Sequence, residues 1–156
     1  MSGHYEDFEP GQRIATYGRT VTEGDLSLFC AIVGYHVPLF IDEEYAKRTR
    51  YGGRIAPSSF IMSVSTGMTE SLFRTTVIAQ LGLERGRFLA PVRAGDTIRT
   101  EVEVVEKRPA KRPEQGVVVF RDRVLNQRDE VVFEVDKIVL LKRRPPPDQS
   151  GQGDRP

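Results

Sequence analysis

Ser58-Ser59-Phe60-Ile61-Met62-Ser63-Val64-Ser65-Thr66-Gly67-Met68-Thr69-Glu70-Ser71-Leu72-Phe73 is the stretch on which the fold turns. Pro57 precedes it, where a missing N–H costs little, so a helix is expected over Ser58 to Phe73. Its apolar residues fall on more than one face and alternate with serines, Thr66 and Gly67. A surface helix carries one apolar stripe opposite charges; this one reads as enclosed, with small side chains that let a sheet close around it. After Phe73 the period changes to two. Val77 to Leu83 and Arg87 to Val92 read as strands, and Thr97 to Val104, Gly116 to Asn126 and Val131 to Leu141 alternate. Lys107 to Glu114 and Gln127-Arg128-Asp129 join the last three as hairpin loops of an antiparallel meander. The expected class is α+β, a long central helix wrapped by a curled antiparallel sheet.

Upstream, Arg13 to Val21 reads as a first strand. Thr22 caps a helix, answered by Asp25 three residues later. Leu26, Phe29, Cys30 and Val33 form its apolar stripe, and Gly34 ends it. Pro38 argues for an extended or irregular Tyr35–Ile41 segment. Asp42 caps a short helix through Lys47, and Gly52-Gly53 marks a turn. Residues 1–12 read as a loose lead-in, 13–144 as one domain, and 145–156 as a disordered Pro/Gly-rich tail.

The 156 residues suit a single domain. With 23 basic and 22 acidic residues the net charge is +1, which gives no field to draw nucleic acid or a membrane. Cys30 is the lone cysteine, so no internal disulfide can form, and its apolar position reads as core filler. His4 and His36 are too few and too separate for a metal site. No glycine fingerprint for a nucleotide and no other cofactor signal appears. With no signal peptide or membrane span in the sequence, a cytoplasmic location is the default expectation. A sheet of this kind leaves an open edge, so a symmetric homodimer is expected.

Several segments in order resemble the MaoC-like family of the hotdog superfamily, which includes (R)-specific enoyl-CoA hydratases and 3-hydroxyacyl thioester dehydratases. They are Val21-Thr22-Glu23-Gly24-Asp25 with Phe29, Asp42-Glu43-Glu44-Tyr45-Ala46, Tyr51-Gly52-Gly53-Arg54-Ile55-Ala56, and Phe88-Leu89-Ala90-Pro91-Val92-Arg93-Ala94-Gly95-Asp96-Thr97. The resemblance spans about Thr20 to Lys142. It implies a hotdog fold, an acyl-CoA or acyl-carrier thioester as substrate, and a catalytic motif Gly-Asp-x-Asn-Pro-x-His.

This chain departs from that motif. It reads Gly34-Tyr35-His36-Val37-Pro38-Leu39-Phe40, with Tyr35 at the Asp position and Phe40 at the His position. Hydration needs one group to take a proton from water and another to place one on carbon. Phe40 has no proton to exchange, and a tyrosine is a poor base at neutral pH. One reading makes His36 a relocated base with Tyr35 as donor. The other makes His36 an ordinary exposed side chain, because neighbours in an extended chain point opposite ways. Ser58 and Ser59 stand at the helix start, where free amides favour a thioester oxygen; they can equally be mere caps. Arg54, with Lys47, Arg48 and Arg50, suits the phosphates of CoA or a solvated helix end. Two functions stay open: a hydratase with an atypical site, or a non-catalytic thioester-binding partner of a catalytic hotdog chain. A thioesterase ranks below both, because no carboxylate is placed to activate water.

Overall fold

The structure, a computed structural model, describes residues 2–145. Apart from Pro145, the tail expected to be disordered lies outside the described residues. The chain runs β1 (Arg13–Ala15), β2 (Arg19–Thr20), α1 (Glu23–Val33), α2 (Pro38–Ile41), α3 (Glu43–Lys47), α4 (Ser58–Met68), β3 (Val77–Phe88), β4 (Thr97–Pro109), β5 (Gln115–Leu125) and β6 (Val131–Lys142). The described strands form one antiparallel sheet in the order β1-β4-β5-β6-β3, with β2 beside β1 along β4. The expected meander is β4-β5-β6, and β3 closes back onto β6.

Four expectations change. The strand expected over Arg13 to Val21 is two pieces on one partner: Ala15 faces Glu101 and Arg19 faces Ile98, four steps against three, so the chain bulges at Tyr17-Gly18. The two strands expected over Val77 to Val92 are a single β3 ending at Phe88. Three register shifts against β6 let it bend, one of them around Arg85 at φ 54°. The helix expected to reach Phe73 stops at Met68. There the Thr69 amide turns back to the Ser65 and Thr66 carbonyls, and a 3₁₀ turn covers Glu70–Leu72. The hairpin loop expected from Lys107 shrinks to residues after Pro109, because β4 keeps pairing to Gly116.

α4 lies on the concave face of the sheet. Phe60, Ile61, Val64 and Met68 pack with Ile98, Val124, Phe133 and Val135 in one apolar cluster. A second cluster, centred on Phe120, Val102 and Leu141, fills the far end. The N-terminal residues read as loose are docked over that end. Phe8 is 3% exposed and meets Phe120 edge-on at 5.0 Å, a burial that contributes about 2 kcal/mol. The Tyr5 ring lies under Lys107 and Arg143, 4.7 and 4.5 Å from its centroid. A Cβ at Gly116 would run into that ring, so only glycine fits beneath it.

Candidate active site

α1 is set by its ends. The Asp25 amide donates to Thr22 Oγ1 at 3.0 Å, and the Thr22 amide donates to Asp25 Oδ2 at 2.9 Å. Gly34 closes it at φ 67°, a left-handed conformation natural to glycine. The segment beyond, expected to be extended or irregular, is a tight turn followed by a short helix. The His36 amide donates to the Gly34 carbonyl at 3.1 Å, a tight turn, and Pro38 starts the short α2 at a position where its missing N–H costs nothing. The turn cancels the alternation of an extended chain. Tyr35 and His36 therefore line the same recess, of about 280 Å³, together with Cys30, Phe40 and Arg54. The Tyr35 ring stands edge-on to Phe40 at 5.2 Å.

Two features limit the chemistry of this recess. Burial pushes the Cys30 thiol up, with Arg54 pulling weakly against it, so Cys30 is not a ready nucleophile. The Arg54 guanidinium is already engaged: Nη2 donates to Glu23 at 2.5 Å and Nε to Glu43 at 3.2 Å. Arg54 thus braces α1 against α3 at the rim of the recess.

The start of α4 opens on a second recess of about 320 Å³. Ser58 and Ile61 line it, with Arg50, Phe88, Leu89 and Ala90 among the other walls. The Phe60 and Ile61 amides both return to the Pro57 carbonyl. Ser58 and Ser59 are left as the helix-start donors without an intrahelical acceptor. Ser59 Oγ is buried and has no hydrogen-bond partner among the described residues. The extended Arg54-Ile55-Ala56 segment separates the two spaces, since Arg54 lines the first and Ile55 and Ala56 the second. The Ala56 amide pins this wall to the Val92 carbonyl at 2.7 Å. Tyr35, His36 and Phe40 are thus brought together, while Ser58 stands on the other side of the wall. Among the described residues no three His, Cys, Asp or Glu converge as a metal site, and no helix is long and apolar enough to cross a membrane.

Sequence reasoning missed two groups. One is Phe88 and Leu89, which wall the second recess and stay 47% and 53% exposed beside it. The other is a buried ion pair, Asp122 and Lys137, with Nζ 2.6 Å from Oδ2. Its signal was present: strand parity places Asp122 with Phe120 and Val124, and Lys137 with Val135 and Val139.

A family model described as a MaoC like domain matches residues 7–125. The β-methylmalyl-CoA dehydratase of Chloroflexus aurantiacus is 34% identical over 91% of this chain but only 41% of its own length. The (R)-specific enoyl-CoA hydratase of Rhodospirillum rubrum is 28% identical over 90% of this chain and 93% of its own. The chain spans less than half the length of the first curated relatives it matches. A Mycobacterium tuberculosis protein described as a double hotdog superposes with a TM-score of 0.85 over 92% of this chain and 45% of its own, at 24% identity. That likeness gives the fold: an α+β hotdog.

Proposed function

Because this chain belongs to the MaoC-like domain family, whose relatives include proteins named as CoA hydratases and dehydratases, we propose that it hydrates an enoyl-CoA thioester or dehydrates the corresponding 3-hydroxyacyl thioester. The observation that carries this reading is the recess at the start of α4. It joins the start of α4 at Ser58, apolar walls at Ile61, Phe88 and Leu89, and the cationic Arg50 at one place. The amides and the helix dipole polarise the thioester carbonyl and hold the negative charge that builds on it. Arg50 meets a CoA phosphate. Water then adds its hydroxyl to C3 and a proton to C2; His36 and Tyr35 lie across the Arg54–Ala56 wall from that carbonyl, so this reading needs the wall to shift before His36 takes the proton from water and Tyr35 donates a hydrogen bond.

Incubation of the pure chain with crotonyl-CoA, read as loss of the conjugated double bond, tests this. Turnover is expected, falling by about 10²-fold in His36→Ala and less in Tyr35→Phe. Equal rates in all three proteins remove the pair from the mechanism.

The Arg54–Ala56 wall and the Tyr35–Phe40 packing favour a second reading, a thioester-binding chain without chemistry of its own. Acyl-CoA binding with no hydration, together with co-purification of a catalytic hotdog chain, supports it; hydration by the isolated chain removes it. In either case we infer that a second copy pairs along β3, the end strand of the sheet, where Val77, Ile78, Leu81 and Leu83 are exposed. Phe88 and Leu89 at the end of that edge would then be covered, and the second recess closed, by the partner. Sedimentation of the wild type as a dimer and of Leu81→Arg as a monomer is expected; a monomeric wild type overturns it.

A further inference from the structure

Two stretches of this chain stand out by what they lack. Although 29% of its residues are charged, Leu26 to Ile41 runs for sixteen positions without Asp, Glu, Lys or Arg, and Ile55 to Thr69 for fifteen; no other uncharged run is as long. The second run holds α4, and its composition is explained by enclosure: Phe60, Ile61, Val64 and Met68 are buried. The first run holds most of α1, the Gly34 turn and α2, and it lies open. Leu26 and Cys30 are the only buried residues of α1. Leu28 and Ile32, two positions to either side of Cys30 and so on the opposite face of the helix, are 63% and 74% exposed. The outer face of a surface helix carries charged and polar side chains; this one carries a leucine and an isoleucine.

The open apolar surface is continuous. Leu28 and Ile32 stand one turn apart on α1 and form a ridge. Ala31, one turn from Leu28, lines the recess beside it with Tyr35, Phe40 and Ile41. Val33, Tyr35, Val37 and Ile41 are themselves exposed. With Leu28 and Ile32 they leave about 600 Å² of the run open, at the top of the range for a monomer's largest apolar patch and near the ~800 Å² per partner of a stable interface. The run offers no Lys or Arg to anionic lipid, and Asp25 and Asp42 bound it, which argues against a membrane as its cover. An apolar ridge beside an apolar-walled recess is instead the shape that fits itself. A two-fold axis next to α1 lays the ridge of each copy against the recess of the other, so that one patch serves both sides of the contact.

We propose that the Leu26–Ile41 face is an interface with a second copy of this chain, in which the Leu28–Ile32 ridge of each copy caps the Tyr35–His36 recess of the other. The proposal goes beyond the thioester reading and does not need it. No residue of this face belongs to β3, so the contact is also separate from pairing along that strand.

Sedimentation equilibrium and hydroxyl-radical footprinting test it together. Leu28→Glu/Ile32→Glu alters side chains that face water in the single chain, so its circular dichroism should match the wild type. Its mass is expected to be half that of the wild type at the same concentration, whether or not Leu81→Arg is also present. In the wild type, labelling of Leu28, Ile32 and Tyr35 should fall by about half or more between the dilute and the associated protein. A folded double variant with the wild-type mass overturns the proposal. So does an associated wild type in which Leu81 and Leu83 are protected but Leu28 and Ile32 are not, and this arm needs no variant. A wild type that is monomeric over the whole concentration range overturns both this contact and β3 pairing. Absence of acyl-CoA binding removes the thioester reading alone and leaves the expected masses and labelling unchanged, so a protein that shows them still supports the interface.

Discussion

Arg121 and Asp122 are neighbours in β5, Asp136 and Lys137 are neighbours in β6, and the two ion pairs they make sit on opposite faces of one sheet. Outside, Arg121 grips Asp136 through two hydrogen bonds of 2.8 and 3.0 Å, and Arg85 reaches the same carboxylate. Inside, Lys137 and Asp122 meet within the core. The aspartates respond in opposite directions. Cover by neighbouring side chains pushes the Asp136 carboxyl up, but Arg121 and Arg85 outweigh it and hold it below the usual carboxylate range. Burial pushes the Asp122 carboxyl above that range, and Lys137 and Ser65 offset only part of the effect. An ion pair is therefore not one kind of interaction. Two guanidiniums that keep contact with water cost little to place beside a carboxylate, whereas the ammonium and carboxylate in the core have both lost their hydration. One step along a strand decides which applies.

The largest test breaks the inner pair on one side. Lys137→Met leaves Asp122 charged, buried and uncompensated, and urea unfolding is expected to show a loss of about 3–5 kcal/mol. The double exchange Asp122→Leu/Lys137→Met should recover that loss and stand within about 1–4 kcal/mol above the wild type or equal to it. A double variant as weak as the single one would mean that shape, not charge, holds this part of the core. On the outer face, Arg85→Ala removes a 66% exposed partner while Arg121 remains, so a loss below about 1 kcal/mol is expected.

The smallest effects lie in the pH dependence, and their signs differ. The Asp136 contribution is present above the carboxyl's unfolded value, ~4, and is lost as pH falls through its lower folded value. The stability advantage of wild type over Asp136→Asn should therefore shrink on acidification. Asp122 titrates higher in the folded chain, so its protonation supports the fold below ~4 and that support is lost as pH rises through the folded value. Wild type compared with Asp122→Asn should gain on acidification. Parallel slopes for the two variants would show that the faces do not differ as described.

Local rules of capping, turn chemistry and periodicity made much of the molecule readable. The Thr22–Asp25 box, the Gly34 stop, the Asp42 cap and the β4-β5-β6 meander all follow from side chains within a few residues of one another. So did the enclosed character of α4, because a mixed apolar and small surface has no solvent-facing solution. The candidate site was legible in its parts and not in its assembly. Gly34-Tyr35-His36 looked extended, and a single backbone bond from His36 to Gly34 puts both side chains in one recess. Ser58 was placed correctly at a helix start, but the Arg54–Ala56 wall is fixed by the bond from Ala56 to Val92, 36 positions away in the chain.

By itself the sequence determined most of the helices and strands and their order, since these depend on spacings of two to four residues. Tertiary structure alone decided what those faces meet. It merged two expected strands into the bent β3, docked Phe8 and Tyr5 over the far end of the core, and buried Thr100, Asp122 and Lys137 on the face of the sheet beneath α4. The reason is that burial and register are properties of partners distant in the chain. A lysine inside a strand looks the same in sequence whether its neighbours leave it in water or close it into the core.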